Sequence, residues 1–209
     1  MPYPVTLTVE PAITARNRLT TGFRLILAIP HIILVGGVGF SAGRNAGGGN
    51  SSFGGETGLL GAVAVFLAVV SWFTIVIGGQ HITGIRQFTQ FFLRWKVRAL
   101  AYTMLFVDQY PPFGDLPYPA GVTVVDPTEP RDRVSVGFRL LLGIPHFILL
   151  FFLVSAWWIV SIVAWVMILF TGEYPRGLSD FALGVFRWFI RVEAYMLLLV
   201  DEYPPFSLS

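Results

Sequence analysis

Gly22-Phe23-Arg24-Leu25-Ile26-Leu27-Ala28-Ile29-Pro30-His31 returns as Gly137-Phe138-Arg139-Leu140-Leu141-Leu142-Gly143-Ile144-Pro145-His146. The copies lie 115 positions apart, and the same offset joins Pro2-Tyr3-Pro4 to Pro117-Tyr118-Pro119. Each copy opens an apolar segment with an arginine near its start and a Pro-His pair inside it. Proline removes a backbone donor and kinks a helix. An arginine near the end of an apolar helix can snorkel to the membrane surface. The pattern reads as a membrane helix with polar features, present once in each half of the chain.

Composition agrees. The 209 residues are 55% hydrophobic and 12% charged, with a mean hydropathy of +0.70. Soluble domains carry about 25% charged residues, so an integral membrane protein is expected. The absence of cysteine removes disulfides, thiol nucleophiles and thiolate metal sites. Lys96 is the only lysine among fourteen basic residues, a hint of a GC-rich bacterial genome. Residues 1–18 are mostly polar and share the repeat's opening motif. They do not read as a cleavable leader, and the first helix is expected to remain in the mature protein.

The chain divides into repeat 1, residues 1–113, and repeat 2, residues 114–209. The expected fold is all-α and membrane-integral, with four transmembrane helices arranged as two parallel repeats. Each repeat is a helical hairpin followed by an amphipathic interfacial helix. Repeat 1 has spans at about 19–39 and 59–77, and an interfacial helix at about 82–107. Repeat 2 has spans at about 134–154 and 157–171, with a tight turn near Ser155-Ala156, and an interfacial helix at about 178–201. Roughly 20 helical residues cross a hydrocarbon core of about 30 Å. Val5-Thr6-Leu7-Thr8-Val9 alternates with the period of a strand, and Val122-Thr123-Val124-Val125 is its counterpart. The two could pair as a short cytoplasmic sheet. Between spans one and two, the Gly-, Ser- and Asn-rich stretch 41–57 reads as a flexible loop. From Arg94-Trp95 to Arg187-Trp188 the offset falls to 93, so repeat 1 carries 22 extra residues between its apolar segments.

Arginines flank the start of spans one and three and follow spans two and four, while Arg44 alone lies in the first loop. The positive-inside rule then places both termini and the central linker in the cytoplasm. Both repeats share one orientation, with their pseudo-two-fold axis along the membrane normal. The expected location is the bacterial inner membrane.

Gly-Phe-Arg-Leu…Ile-Pro-His, then Tyr-Pro-Arg, Arg-Trp…Arg…Tyr and Asp-x-Tyr-Pro-Pro-Phe, resembles a bacterial membrane family known as domain of unknown function 4389. Repeat 2 matches best, through Tyr174-Pro175-Arg176, Arg187-Trp188, Arg191, Tyr195 and Tyr203-Pro204-Pro205-Phe206. Repeat 1 departs at His81-Ile82-Thr83-Gly84, where repeat 2 has Tyr174-Pro175-Arg176-Gly177. The resemblance implies two tandem copies and brings no activity with it.

Two sets of residues carry candidate chemistry. Arg24, His31, Arg139 and His146 form an intramembrane polar site, because ionisable groups in a span are functional candidates. The plainer reading is that each histidine fills the gap opened by proline and each arginine anchors topology. Paired histidines are also haem or pigment ligand candidates. Arg94, Arg98 and Tyr102, with Arg187, Arg191 and Tyr195, recur at i, i+4, i+8. This stripe suits lipid or anion phosphates, since guanidinium forks match phosphate oxygens. Its plainer reading is a solvated helix face. No catalytic triad, phosphate loop or metal-ligand spacing occurs, so no enzyme, no metal and no cofactor is expected. The leading expectation is a non-enzymatic accessory or scaffolding subunit of a bacterial inner-membrane complex. Its partners would be anionic lipid and either other membrane subunits or copies of itself, with no nucleic acid. The alternatives are a small homo-oligomeric transporter or channel using the Arg-His faces, and a haem- or pigment-binding redox subunit.

Overall fold

A computed structural model describes residues 3–37, 58–114, 116–127 and 131–209. The expected loop 41–57 and the end of the first expected span, from residue 38, lie outside them. The elements in order are β1 (Val5–Val9), α1 (Arg18–Val35), α2 (Gly58–Gly78), α3 (Thr83–Thr103), β2 (Ala120–Val124), α4 (Arg133–Gly137), α5 (Arg139–Thr171) and α6 (Arg176–Met196). The described residues are mostly helical with one small sheet, and α1, α2 and α5 are each long and apolar enough to cross a membrane.

The two strands pair antiparallel, with Leu7 opposite Val122 and Val5 opposite Val124. Leu7 and Val122 are themselves repeat equivalents, so the pseudo-two-fold axis passes between them. Val5, Leu7 and Val9 point inward and Thr6 and Thr8 outward, as the period of two requires. The arms exchange: β1 packs on α6 of repeat 2, and β2 on α3 of repeat 1. Tyr3 Oη donates to the Glu202 carbonyl at 3.3 Å, and its equivalent Tyr118 to that of Gln109 at 2.7 Å. A two-stranded sheet alone is marginal in water; here two helices cover one of its faces.

The expected hairpins are not formed. The turn predicted near Ser155-Ala156 is absent, and the third and fourth expected spans are one helix, α5. The physical reason is local. No glycine or proline falls between His146 and Thr171, and Ser155 Oγ donates back to the Phe151 carbonyl at 2.7 Å, keeping the turn helical.

In repeat 1 the two apolar helices lie end to end. Trp165 Nε1 donates to the Thr21 carbonyl at 3.0 Å, joining the end of α5 to the start of α1. Its equivalent, Trp72 Nε1, donates to the Val136 carbonyl at 2.9 Å, joining the end of α2 to α4. Since α5 is about 50 Å long, the start of α1 and the end of α2 are far apart. Gly58 begins α2 against Leu34 and Gly36, where α1 ends. Arg18–Val35 continued by Gly58–Gly78 therefore matches Arg133–Thr171 position for position. The two long helices run antiparallel to each other.

The molecule has three layers: the sheet, then α3 and α6, then the two long helices. α3 and α6 are not interfacial helices. They are buried on most sides, between the sheet and the long helices. Their aromatic residues occupy too much of the circumference for a one-sided surface helix, and Lys96, Arg98 and Arg191 are satisfied from within. Where they cross, the Lys96 ammonium pairs with Glu193 at 2.5 Å and lies over the Phe92 and Phe189 rings. The long helices bury one stripe each: Thr21, Arg24, Ala28, His31 and Val35 on α1, and Arg139, Gly143, His146 and Leu150 at matching places on α5. The rest of their surface is exposed and apolar.

Candidate functional site

Each repeat builds one copy of the same site, where the start of a long helix meets the end of a core helix. α3 ends because Leu105 turns left-handed, with φ 70°, and α6 ends at Leu198, with φ 61°. A non-glycine residue there is strained by roughly 1–2 kcal/mol, so other contacts must hold it. A helix end also leaves carbonyls without intrahelical donors and carries partial negative charge.

Arginine answers both needs. Arg24 Nη1 donates to the carbonyls of Tyr102 at 3.0 Å and Val107 at 3.1 Å, and Nη2 to Asp108 at 2.5 Å. Its guanidinium lies 4.6 Å above the Tyr102 ring. Arg16 adds bonds to the Leu105 carbonyl at 2.7 Å and to Asp108 at 2.8 Å. In repeat 2, Arg139 Nη1 donates to the Tyr195 and Val200 carbonyls, both at 2.9 Å, and Nη2 to Asp201 at 2.9 Å. It lies 4.2 Å above the Tyr195 ring. Arg131 donates to the Leu198 carbonyl at 2.8 Å and pairs with Asp201 at 2.9 Å.

Burial works against the charge on Asp108, yet Arg16 and Arg24 prevail and hold its carboxyl below the usual carboxylate range. Burial lowers Arg16 while Asp108 holds it up. Arg131 is pulled down to about 10 by burial, against the opposing pull of Asp201, and so stays charged at neutral pH.

Two helical turns beyond Arg24 and one beyond Ala28, His31 sits in an aromatic cage. Trp95 Nε1 donates to His31 Nδ1 at 3.1 Å. The Phe113 ring stacks on the imidazole at 4.5 Å, and Tyr110 closes a further side at 5.1 Å. His146 repeats this with Trp188 Nε1 at 3.2 Å, Phe206 at 4.2 Å and Tyr203 at 4.7 Å. Tyr-Pro-Pro-Phe is thus the lid of the cage. Both histidines are fully buried.

A neutral imidazole whose Nδ1 accepts a hydrogen bond carries its proton on Nε2. Neither nitrogen then offers a lone pair to iron or to a pigment's metal, which argues against ligation. Among the described residues no group of three His, Asp or Glu side chains could hold a metal ion.

The six residues of the expected lipid stripe do not share one outward face. Tyr102 and Tyr195 are buried beneath the arginines just described. Arg98 Nη1 donates to the Gly114 carbonyl at 2.5 Å and Arg191 Nη1 to that of Ser209 at 2.8 Å, each tying down the segment after a Tyr-Pro-Pro-Phe lid. Arg191 also lies over Tyr3 and is lowered by burial. Arg94 is half-buried in a cleft of about 240 Å³ with Gln90, Val122, Thr123 and Val124. Arg187 is half-buried.

Sequence reasoning did not connect Trp95 to His31, or Arg16 to Asp108. The signal was present, since Arg16 and Arg131, and Trp95 and Trp188, are repeat equivalents.

A family model described as a domain of unknown function, DUF4389, matches residues 53–114 and again residues 133–207. No curated protein and no solved structure matches.

Proposed function

Because this chain belongs to the DUF4389 family, in two tandem copies, and the family supplies no activity, we propose its function from geometry: a non-enzymatic scaffolding or accessory subunit of a bacterial inner-membrane complex. One observation carries this reading. The repeated polar groups bond to one another inside the molecule, while α1, α2 and α5 turn an almost wholly apolar surface outward. Such a surface fits lipid and the flanks of partner subunits.

The transporter alternative needs the Arg-His faces to line a wet path. His31 and His146 are instead sealed by aromatic rings, and Arg24 and Arg139 are spent on helix ends, so that reading loses its motive. β1 and β2 lie together on the face away from the long helices.

Native mass spectrometry of the protein, drawn gently from its own membranes, tests the proposal. Additional protein masses at a fixed ratio are expected. A chain that appears alone, or only with copies of itself, refutes the accessory role.

A further inference from the structure

We infer that the two long helices lie flat within one leaflet of an anionic phospholipid bilayer rather than crossing it. The inference rests on the membrane reading above and specifies how the chain is seated.

Length is the first argument. Arg133–Thr171 measures about 58 Å along its axis, against a hydrocarbon core of about 30 Å. Exposed apolar side chains run along all of it, through Phe138, Ile148, Ile159 and Phe170. An upright helix would leave nearly half of that surface in water.

The second argument is the sheet. It lies over the middle of the long helices, on the opposite face of the molecule. Upright helices would carry it to mid-depth in the bilayer, with Thr6, Thr8, Glu10 and Thr123 exposed. Among the described residues both sheet edges are open, because β1 and β2 pair only with each other. Open edges facing hydrocarbon leave backbone groups without partners, at several kcal/mol each by order of magnitude. Laid flat, the molecule keeps the whole sheet in water.

The third argument is charge. On the long helices, from Leu19 through Ile77 among the described residues and from Val134 through Phe170, the only charged residues are Arg24 and Arg139, both buried. Exposed Arg18 and Arg133 stand just beyond, at opposite ends of the helix pair, with Arg176 near the first. Flat helices about 10 Å across fit inside one leaflet of about 15 Å, and these end arginines then meet headgroup phosphates. The pseudo-two-fold axis through Leu7 and Val122 runs along the membrane normal in this seat, so both repeats face the bilayer identically.

The cysteine-free chain suits site-directed spin labelling. Phe138→Cys, Ile148→Cys, Ile159→Cys and Phe170→Cys place nitroxides at exposed sites along α5 and its start. The labelled proteins are reconstituted in vesicles of phosphatidylethanolamine with a minority of phosphatidylglycerol. Depth is read from collision with oxygen and with a water-soluble nickel chelate. All four labels are expected at similar depth in one leaflet. Depths that pass through the bilayer centre and emerge on the other side overturn the flat seat. So do labels with low oxygen access and spin–spin broadening, which would mean that a second copy covers the surface. Flotation of the same vesicles separates the two readings. Protein that fails to float refutes membrane residence itself, whereas floating protein with spread depths refutes only the flat seat.

Discussion

Arg24 and Arg139 stand 115 positions apart and perform one task, holding a core helix closed at a strained left-handed leucine. Removing one arginine leaves two carbonyls without that donor and the aspartate with one arginine in place of two, a loss of roughly 1–3 kcal/mol for each carbonyl left unpaired. Arg24→Ala and Arg139→Ala should each lower the melting temperature in detergent sharply, with Lys a poor substitute because it lacks the planar fork. Asp108 gives this cluster a pH dependence. Its carboxyl is held below the ordinary value of 3.8. The stability it contributes is therefore complete above that value and is lost as pH falls through the lower folded one. The melting-temperature gap between the wild type and Asp108→Asn should be constant near neutrality and shrink below about pH 4. A gap that does not move with acid would mean the pairing is idle. For the cage, Trp95→Phe leaves His31 Nδ1 buried without a donor, at about 1–3 kcal/mol. Adding His31→Phe should recover part of that loss, and a double-mutant cycle reads the coupling directly.

Among the elements, the break in the first long helix is the clearest difference between repeats. α1 ends at Val35 and α2 begins at Gly58, and the corresponding positions of α5 are the neighbours Leu150 and Phe151. Deleting residues 36–57 should therefore join α1 to α2 in register and leave a folded protein with undiminished helical circular dichroism. Gly58 supplies a sharper readout. It has φ +61°, and an added Cβ would fall 2.7 Å from the Leu34 carbonyl. Gly58→Ala should destabilise the full chain. In the deletion variant the position becomes helix interior, where alanine is better than glycine by about 1 kcal/mol. The same sign in both backgrounds would show that the helices do not fuse.

At the scale of the molecule, two copies of one unit interlock through exchanged strands and a buried ion pair. Lys96 and Glu193 come from different repeats, and Lys96 faces Phe189, its own equivalent. Lys96→Met alone leaves Glu193 facing aromatic rings without its cation and should cost roughly 3–5 kcal/mol. The double variant with Glu193→Leu should return to within about 1 kcal/mol of the wild type, because apolar pairs replace buried ion pairs at little cost. Thermal unfolding checks both. If the single and double variants lose equally, packing rather than charge joins the repeats at this point.

The sequence by itself determined the repeat, its two offsets, the apolar helices, the strand pattern of Val5–Val9 and the places where polar residues recur. These follow from local chemistry: periodicity, proline and glycine, and residue type. It did not determine where the polar residues point. Arg24 reads as a snorkelling anchor and Arg98 as a lipid contact only while α3 is taken to lie on a surface. Once the sheet covers α3 from one side and α1 with α2 from the other, the same side chains become helix caps and backbone ties. Nor did it decide between hairpin and straight helix. Apart from Ser155, Phe151 through Trp157 is apolar either way; the absence of glycine and proline permits a straight helix, and the antiparallel docking of α5 against α1 and of α4 against the end of α2 fixes it. That docking joins residues more than 50 positions apart, as in Trp72 with Val136 and Trp165 with Thr21, and no local pattern encodes such a contact.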